Sequence, residues 1–340
     1  MKPNLHVKVL ILKPSSLGDI IHALPVLRLI KQQRPHWKVH WWIAEHFAPI
    51  LEMDQDVAAL HHFHRNGWGT IGGLWRGLRQ LHQLRKEHFD VVIDLQGLAR
   101  SALFSWVANG SYTIGLHQHR EGAAAFYDVA IERPTLQTHA VDWCRKVLPA
   151  LGLESECKFE WIPSKPWIAK KIAGQGYLSG KRWIALCPGA RWPSKQWPLE
   201  SFSRLMEEFN GDPQVHFVVV GGTNDKPAGN QLGMHKRCLD LTGQTTLPEL
   251  VEWLRKCDVL VTNDTGPMHI AAAIGTPAVS LFGPTDPHRT GPYHARKNVL
   301  QRTDLDCVPC FQRYCARAVD RECLRGITPA QVFQAIVDCE

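Results

Sequence analysis

The stretch Cys257–Pro287, CDVLVTNDTGPMHIAAAIGTPAVSLFGPTDP, restricts the fold more than any other part of the chain. Its opening run, Asp258–Thr262, is largely β-branched or apolar, the pattern of a parallel strand covered on both faces. The chain must then turn through Asn263-Asp264-Thr265-Gly266-Pro267. Asp264 or Thr265 can cap the following helix, Gly266 lets the backbone approach a ligand, and Pro267 suits a first helical turn. A short helix of small residues, Ala271-Ala272-Ala273, can lie close against its sheet before a second strand, Ala278–Phe282, ends in Gly283-Pro284-Thr285-Asp286-Pro287. Two consecutive strands thus carry polar, Gly-containing loops to one carboxyl edge of a sheet, where open α/β folds bind ligands. Free amides at a helix start attract phosphate, so the stretch predicts a site for a nucleotide diphosphate.

The rest of the chain repeats the alternation. Val7–Leu12 leads into Lys13-Pro14-Ser15-Ser16-Leu17-Gly18-Asp19 and an amphipathic helix over about 20–33. The turn lacks the Gly-x-Gly-x-x-Gly dinucleotide fingerprint. Asp19 either accepts a proton from a substrate hydroxyl or caps the helix. Phe89–Leu95 is a further buried strand, and Asp94, Gln96 and Arg100 fall at its carboxyl end as candidate acceptor contacts. His117, His119 and Arg120 form a cluster suited to an anion, and one helix is expected over about 139–151. Pro163, Pro166, Gly174 and Gly176 punctuate a linker with one short helix. Beyond it, Trp183–Cys187 and Val215–Val220 are strands ending in polar loops, one holding Lys195 and the other Gly221-Gly222.

The pattern predicts an α/β protein of two Rossmann-like, doubly wound lobes facing a cleft. We place the first lobe at 1–155, a linker at 156–180, the second lobe at 181–327 and a terminal helix at 328–340. No run approaches the roughly 18 apolar residues of a membrane span, and no secretory leader precedes Val7, which predicts a cytoplasmic protein. The first 150 residues hold 17 Lys and Arg against 12 Asp and Glu, a bias that suits an anionic substrate or a membrane surface. No basic run or RNA-binding motif argues for nucleic acid. Cys307, Cys310, Cys315 and Cys323 are spaced C-x2-C-x4-C-x7-C, dense enough to surround one structural zinc or iron, with reduced thiols or two disulfides as the alternatives.

Taken together, Lys13–Pro25, Asp94-Leu95-Gln96-Gly97, Pro188-Gly189-Ala190 with Lys195-Gln196-Trp197-Pro198, Asp264–His269 and Phe282–Pro287 resemble the ADP-heptose:lipopolysaccharide heptosyltransferases. The resemblance implies a GT-B architecture with an amino-terminal acceptor lobe and a carboxyl-terminal donor lobe. It also implies inverting transfer of heptose from ADP-L-glycero-D-manno-heptose to the lipid A-linked inner core, on Kdo or a first heptose, with no catalytic metal. Asp19 is then the general base and Lys195 the diphosphate contact. Asp264, Thr265, Gly266 and His269 bind the donor, with Gly221 and Gly222 near its nucleoside. Asp94, Gln96, Arg100 and Arg120 face the acceptor, and the protein works in the cytoplasm, at the inner face of the membrane. The four-cysteine segment also resembles one in relatives that glycosylate proteins and hold iron there. Another nucleotide sugar, a protein acceptor, or binding without turnover are the competing expectations.

Overall fold

Among the described residues twelve strands fall into two sheets, and the chain divides into two units, Met1–Trp161 and Ile162–Glu340. The structure, a computed structural model, describes residues 7–63, 71–118, 121–156 and 160–339.

In the first unit the strands are β1 (Lys8–Leu12), β2 (Lys38–Ala44), β3 (Val57–Phe63), β4 (Val91–Asp94), β5 (Tyr112–His117) and β6 (Val129–Glu132), ordered β3-β2-β1-β4-β5-β6 with every pairing parallel. In the second, β7 (Arg182–Cys187), β8 (Val215–Val219), β9 (Cys238–Asp240), β10 (Val259–Asn263), β11 (Ala278–Phe282) and β12 (Val299–Gln301) are ordered β12-β11-β10-β7-β8-β9, again all parallel. Each sheet has the doubly wound order, so each has one switch point, between β1 and β4 and between β7 and β10. Those are the positions of the loops that the motifs occupy.

Burial explains which strands the sequence announces. β4, β10 and β11 are buried at every residue, because helices cover both faces of the sheet there. The edge strands β6, β9 and β12 are only three or four residues long and partly exposed. β6 and β12 therefore lack the apolar run that would have marked them, and they, together with β5, are additions to the predicted elements. The expected helix over 139–151 is instead a helix at Ala140–Arg145 and a separate 3-10 turn at Pro149–Leu151. Pro149 cannot continue a helix from its missing N–H, so the second turn starts afresh.

Much of the predicted linker is ordered chain of the second unit. Its helix Pro166–Ala173 packs on the helix Leu247–Lys256. The contact is polar as well as apolar: the Lys165 amide donates to Glu252 at 2.7 Å, and Lys171 Nζ to Glu249 at 2.5 Å.

Candidate active site

At the first switch point, the loop after β1 enters the helix Leu17–Gln33 through a capping box. Both the amide and the hydroxyl of Ser16 donate to Asp19 Oδ2, each at 2.8 Å. Asp19 thus caps the helix, and its carboxylate is fixed at the carboxyl edge of the sheet. Lys13, 6% exposed, donates from Nζ to the Leu95 carbonyl at 2.7 Å, tying the β1 loop to the β4 loop. Between these loops lies a pocket of about 230 Å³, with Pro14, Ser15, Trp42, Gln96, Arg100 and Glu121 in its wall.

Asp94 is not in that wall. It is fully buried, accepting from the amides of Gln96 at 2.8 Å and Gly97 at 3.1 Å and from the Tyr127 hydroxyl at 2.7 Å. Burial pushes its carboxyl up, against the opposing pull of those donors. Its place is to shape the turn that presents Gln96. Gly97 is required in that turn: its φ is +68°, and a Cβ there would sit 2.5 Å from the Leu116 carbonyl. Gln96 Oε1 is buried with no hydrogen-bond partner among the described residues, while the residue itself contributes to the pocket wall. Arg120 and His119 lie outside the described residues.

At the second switch point, three loops converge on one carboxylate. Lys195 Nζ, from the loop after β7, and Thr285 Oγ1, from the loop after β11, each lie 2.6 Å from Asp264 Oδ2 at the end of β10. The ion pair is largely enclosed, with side-chain exposures of 18% for Lys195 and 6% for Asp264. The Lys195 ammonium also lies 4.9 Å from the centre of the Trp192 ring, giving a contact to a residue without a role in the motif reading. Asn263 knits the same loops together, accepting from the Trp197 amide at 2.9 Å and donating to the Pro188 carbonyl at 2.8 Å. Thr265 is the N-cap of the helix Gly266–Ile274, and His269 is buried within it.

The Gly221-Gly222 turn wraps around Asp225, whose Oδ2 accepts from the Gly222 amide at 2.8 Å. A Cβ on Gly189 would stand 2.1 Å from Asp225 Oδ1, and one on Gly221 would stand 2.6 Å from Oδ2. The glycines after β7 and β8 therefore leave room for this carboxylate to lie between the two loops. Thr285, Asn263, Trp192 and Asp225 were all inside or beside the motifs. Only the folded chain shows which of them reach the charged centre.

The cysteine segment serves these same loops. Ser194 Oγ donates to the Gln312 carbonyl at 2.6 Å, Arg321 Nη1 to the Gln196 carbonyl at 3.0 Å, and the Phe311 amide to the Pro284 carbonyl at 2.7 Å. Cys307, Cys310, Cys315 and Cys323 are half-buried and form no disulfide. Burial first, and then the neighbouring Cys315, Cys307 and Cys310, raise the Cys323 thiol against the opposing Leu324 amide. The sulfurs are neighbours, yet among the described residues no three Cys, His, Asp or Glu side chains converge as a bound ion requires. The arrangement does not fit the predicted zinc or iron centre. Here the segment is a brace held by side-chain and backbone hydrogen bonds to backbone carbonyls.

The model of glycosyltransferase family 9 (heptosyltransferase) matches residues 78–319. The lipopolysaccharide heptosyltransferase 1 of Pseudomonas aeruginosa is 30% identical over 321 residues, 91% of this chain and 87% of that protein. Escherichia coli heptosyltransferase WaaC with ADP superposes with a TM-score of 0.79 at 24% identity, covering 98% of this chain and 100% of the other. The iron-containing dodecameric glycosyltransferase TibC of enterotoxigenic E. coli shares the fold more distantly, with a TM-score of 0.62 at 13% identity over 98% of this chain and 76% of its own.

Proposed function

From the premise that this chain belongs to glycosyltransferase family 9, the heptosyltransferases, we propose that it moves heptose from ADP-L-glycero-D-manno-heptose onto the lipid A-linked inner core of lipopolysaccharide. The observation that carries this reading is the meeting of Lys195, Asp264 and Thr285 at one carboxylate oxygen. A diphosphate needs a cation that is held still, because charge stabilisation is strongest where no reorganisation is required as the bond breaks. Asp264 and Trp192 hold Lys195 in this way, and the helix start at Gly266 adds backbone amides.

In the reaction so read, the acceptor hydroxyl oxygen attacks the anomeric carbon while the bond from that carbon to ADP breaks on the opposite face. Asp19 takes the hydroxyl proton, and Lys195 stabilises the charge that gathers on the departing diphosphate. Gln96 accepts a hydrogen bond from an acceptor hydroxyl, and Arg100 meets the acceptor's negative charge in the first-unit pocket. Asp94 positions Gln96 without touching the sugar. The acceptor carries a lipid, so the enzyme works at the inner membrane face. Among the described residues no helix is long and apolar enough to cross a membrane, and surface contact is the form of association we infer.

The test is ADP release from ADP-heptose with and without a Kdo-bearing lipid A acceptor. Release that requires the acceptor and falls by at least about a hundredfold in Asp19→Asn, with donor affinity kept, is expected of a general base. Asn can still accept from Ser16, so an unchanged rate would reduce Asp19 to its capping role.

A further inference from the structure

The helix Ala99–Ala108 begins at the first-unit pocket, where Leu98, Arg100 and Ser101 contribute to the wall. Three positions further along its exposed face are Leu103, 47% exposed, and then Trp106, 59% exposed. The helix Ile71–Lys86 packs beside it, and Leu84 of one and Phe104 of the other share a hydrophobic core cluster. On its outer side, Trp75 (69% exposed), Arg79, His82 and Lys86 follow one another at spacings of four, three and four residues, the interval of a single helical stripe. Large apolar side chains so exposed are costly to leave in water without a partner.

Charge identifies the partner. Ile71–Lys86 contains four Lys and Arg and no acidic residue, and Ala99–Ala108 contains Arg100 and none. The next acid, Glu87, is engaged by Lys8. A basic amphipathic face with indoles among its cations matches the boundary layer of an anionic bilayer, where the indole sits at headgroup depth and Lys and Arg meet lipid phosphates. A single-stranded nucleic acid would be tracked by a basic groove with aromatic platforms, whereas these side chains stand on the outer sides of two helices.

We propose that the outer faces of Ile71–Lys86 and Ala99–Ala108 dock on an anionic lipid bilayer and bring the pocket to its lipid-linked substrate. The proposal rests on the reading of the acceptor as a lipid-borne sugar. Docking here leaves the sugar at Gln96 and Arg100 while its acyl chains stay in the bilayer beside Leu103 and Trp106.

The experiment is co-sedimentation with vesicles of phosphatidylcholine alone and of phosphatidylcholine with about one-third phosphatidylglycerol. The full chain is expected to bind the anionic vesicles and to be released by salt. Arg79→Glu/Lys86→Glu should weaken binding by about 25-fold or more, since each basic residue near such a surface is worth roughly a factor of five. Trp75→Ser/Trp106→Ser should also lose binding. Both double variants should use a deacylated, water-soluble core acceptor at the wild-type rate, which shows that they are folded. Wild-type protein that stays in the supernatant, variants that sediment like wild type, or preferential binding of an RNA oligomer would each overturn the docking surface. Turnover of the soluble acceptor without vesicle binding would overturn it while leaving the transferase reading intact. Vesicle binding that depends on these residues, without turnover of any core acceptor, would support the surface and remove the acceptor reading.

Discussion

Replacing Lys195 by Met keeps most of the aliphatic stem and removes the ammonium. At 2.6 Å from Asp264 Oδ2, that charge contributes a gross attraction of about 6 kcal/mol at an effective dielectric of 20. Desolvation of the two groups offsets most of it, so the pair's net worth is far smaller. The loss of a single partner is more informative. Asp264 is 6% exposed and would keep only the Thr285 hydroxyl among the two contacts described for Oδ2. Lys195→Met should therefore cost about 2–3 kcal/mol, just below the range for a fully buried pair because Lys195 is partly exposed. Asp264→Asn should cost about 1–2 kcal/mol, and Lys195→Met/Asp264→Asn should cost less than the sum by about 1–2 kcal/mol. Urea denaturation of the four proteins measures this cycle. Activity should diverge from stability: Lys195→Met should lower kcat by about 10²–10³, and the double variant should stay as slow, because the missing cation is the one we propose meets the leaving diphosphate. ADP release at saturating acceptor measures that arm. Recovery of kcat together with stability in the double variant would refute the reasoning, since Lys195 would then be only a structural counter-ion. A kcat within threefold of wild type in Lys195→Met would refute it equally.

Arg100→Glu should raise the acceptor KM roughly tenfold, equivalent to about 1.4 kcal/mol, and leave the donor KM alone in initial-rate kinetics; equal changes in both would deny Arg100 an acceptor role. Gly189→Ala should lower stability by about 1–3 kcal/mol through overpacking and raise the donor KM, because the new Cβ would meet Asp225 Oδ1 at 2.1 Å. Gly222→Ala, whose nearest neighbour is 3.9 Å away, is the tolerated comparison, and equal melting temperatures for the two would count against the close approach. In the first unit, His40 Nδ1 and His61 Nε2 lie 2.9 Å apart. Burial first, then His61 and Lys8, push His40 down to about 4, and burial also lowers His61. The unfolded chain takes these protons first, near 6.5, so stability present above that pH should fall between 6.5 and about 4. His40→Gln should flatten that slope in denaturation midpoints measured across pH, and an unchanged slope would point to other groups.

Legibility followed burial. The central strands could be read because helices cover both faces and the residues are mostly apolar, as in Val259–Val261. β6 and β12 could not, since three or four half-exposed edge residues leave no periodic signal. The same limit applies to side chains: Asp94 and Gln96 are two residues apart at the end of the same strand, yet one is sealed beneath Tyr127 and the other lines the pocket. Spacing placed both at the carboxyl edge and could not tell them apart, because that depends on which way a turn with Gly97 at φ +68° presents its side chains.

By itself the sequence determined the doubly wound α/β class, the loops that carry chemistry, and the residue types on those loops. These depend on local rules of strand polarity, turn glycines and helix starts, which act over a few neighbouring positions. Only the tertiary structure decided that Lys195, Asp264 and Thr285 share one oxygen, that Asp225 fills the space Gly189 and Gly221 leave open, and that the cysteine segment braces the loops after β7 and β11. Apart from Gly221, which is close to Asp225 in the chain, those partners lie from 21 to more than 100 residues apart. Bringing them together depends on strand order and register, which place loops from separate strands on one sheet edge and leave no mark in the local pattern of any one of them.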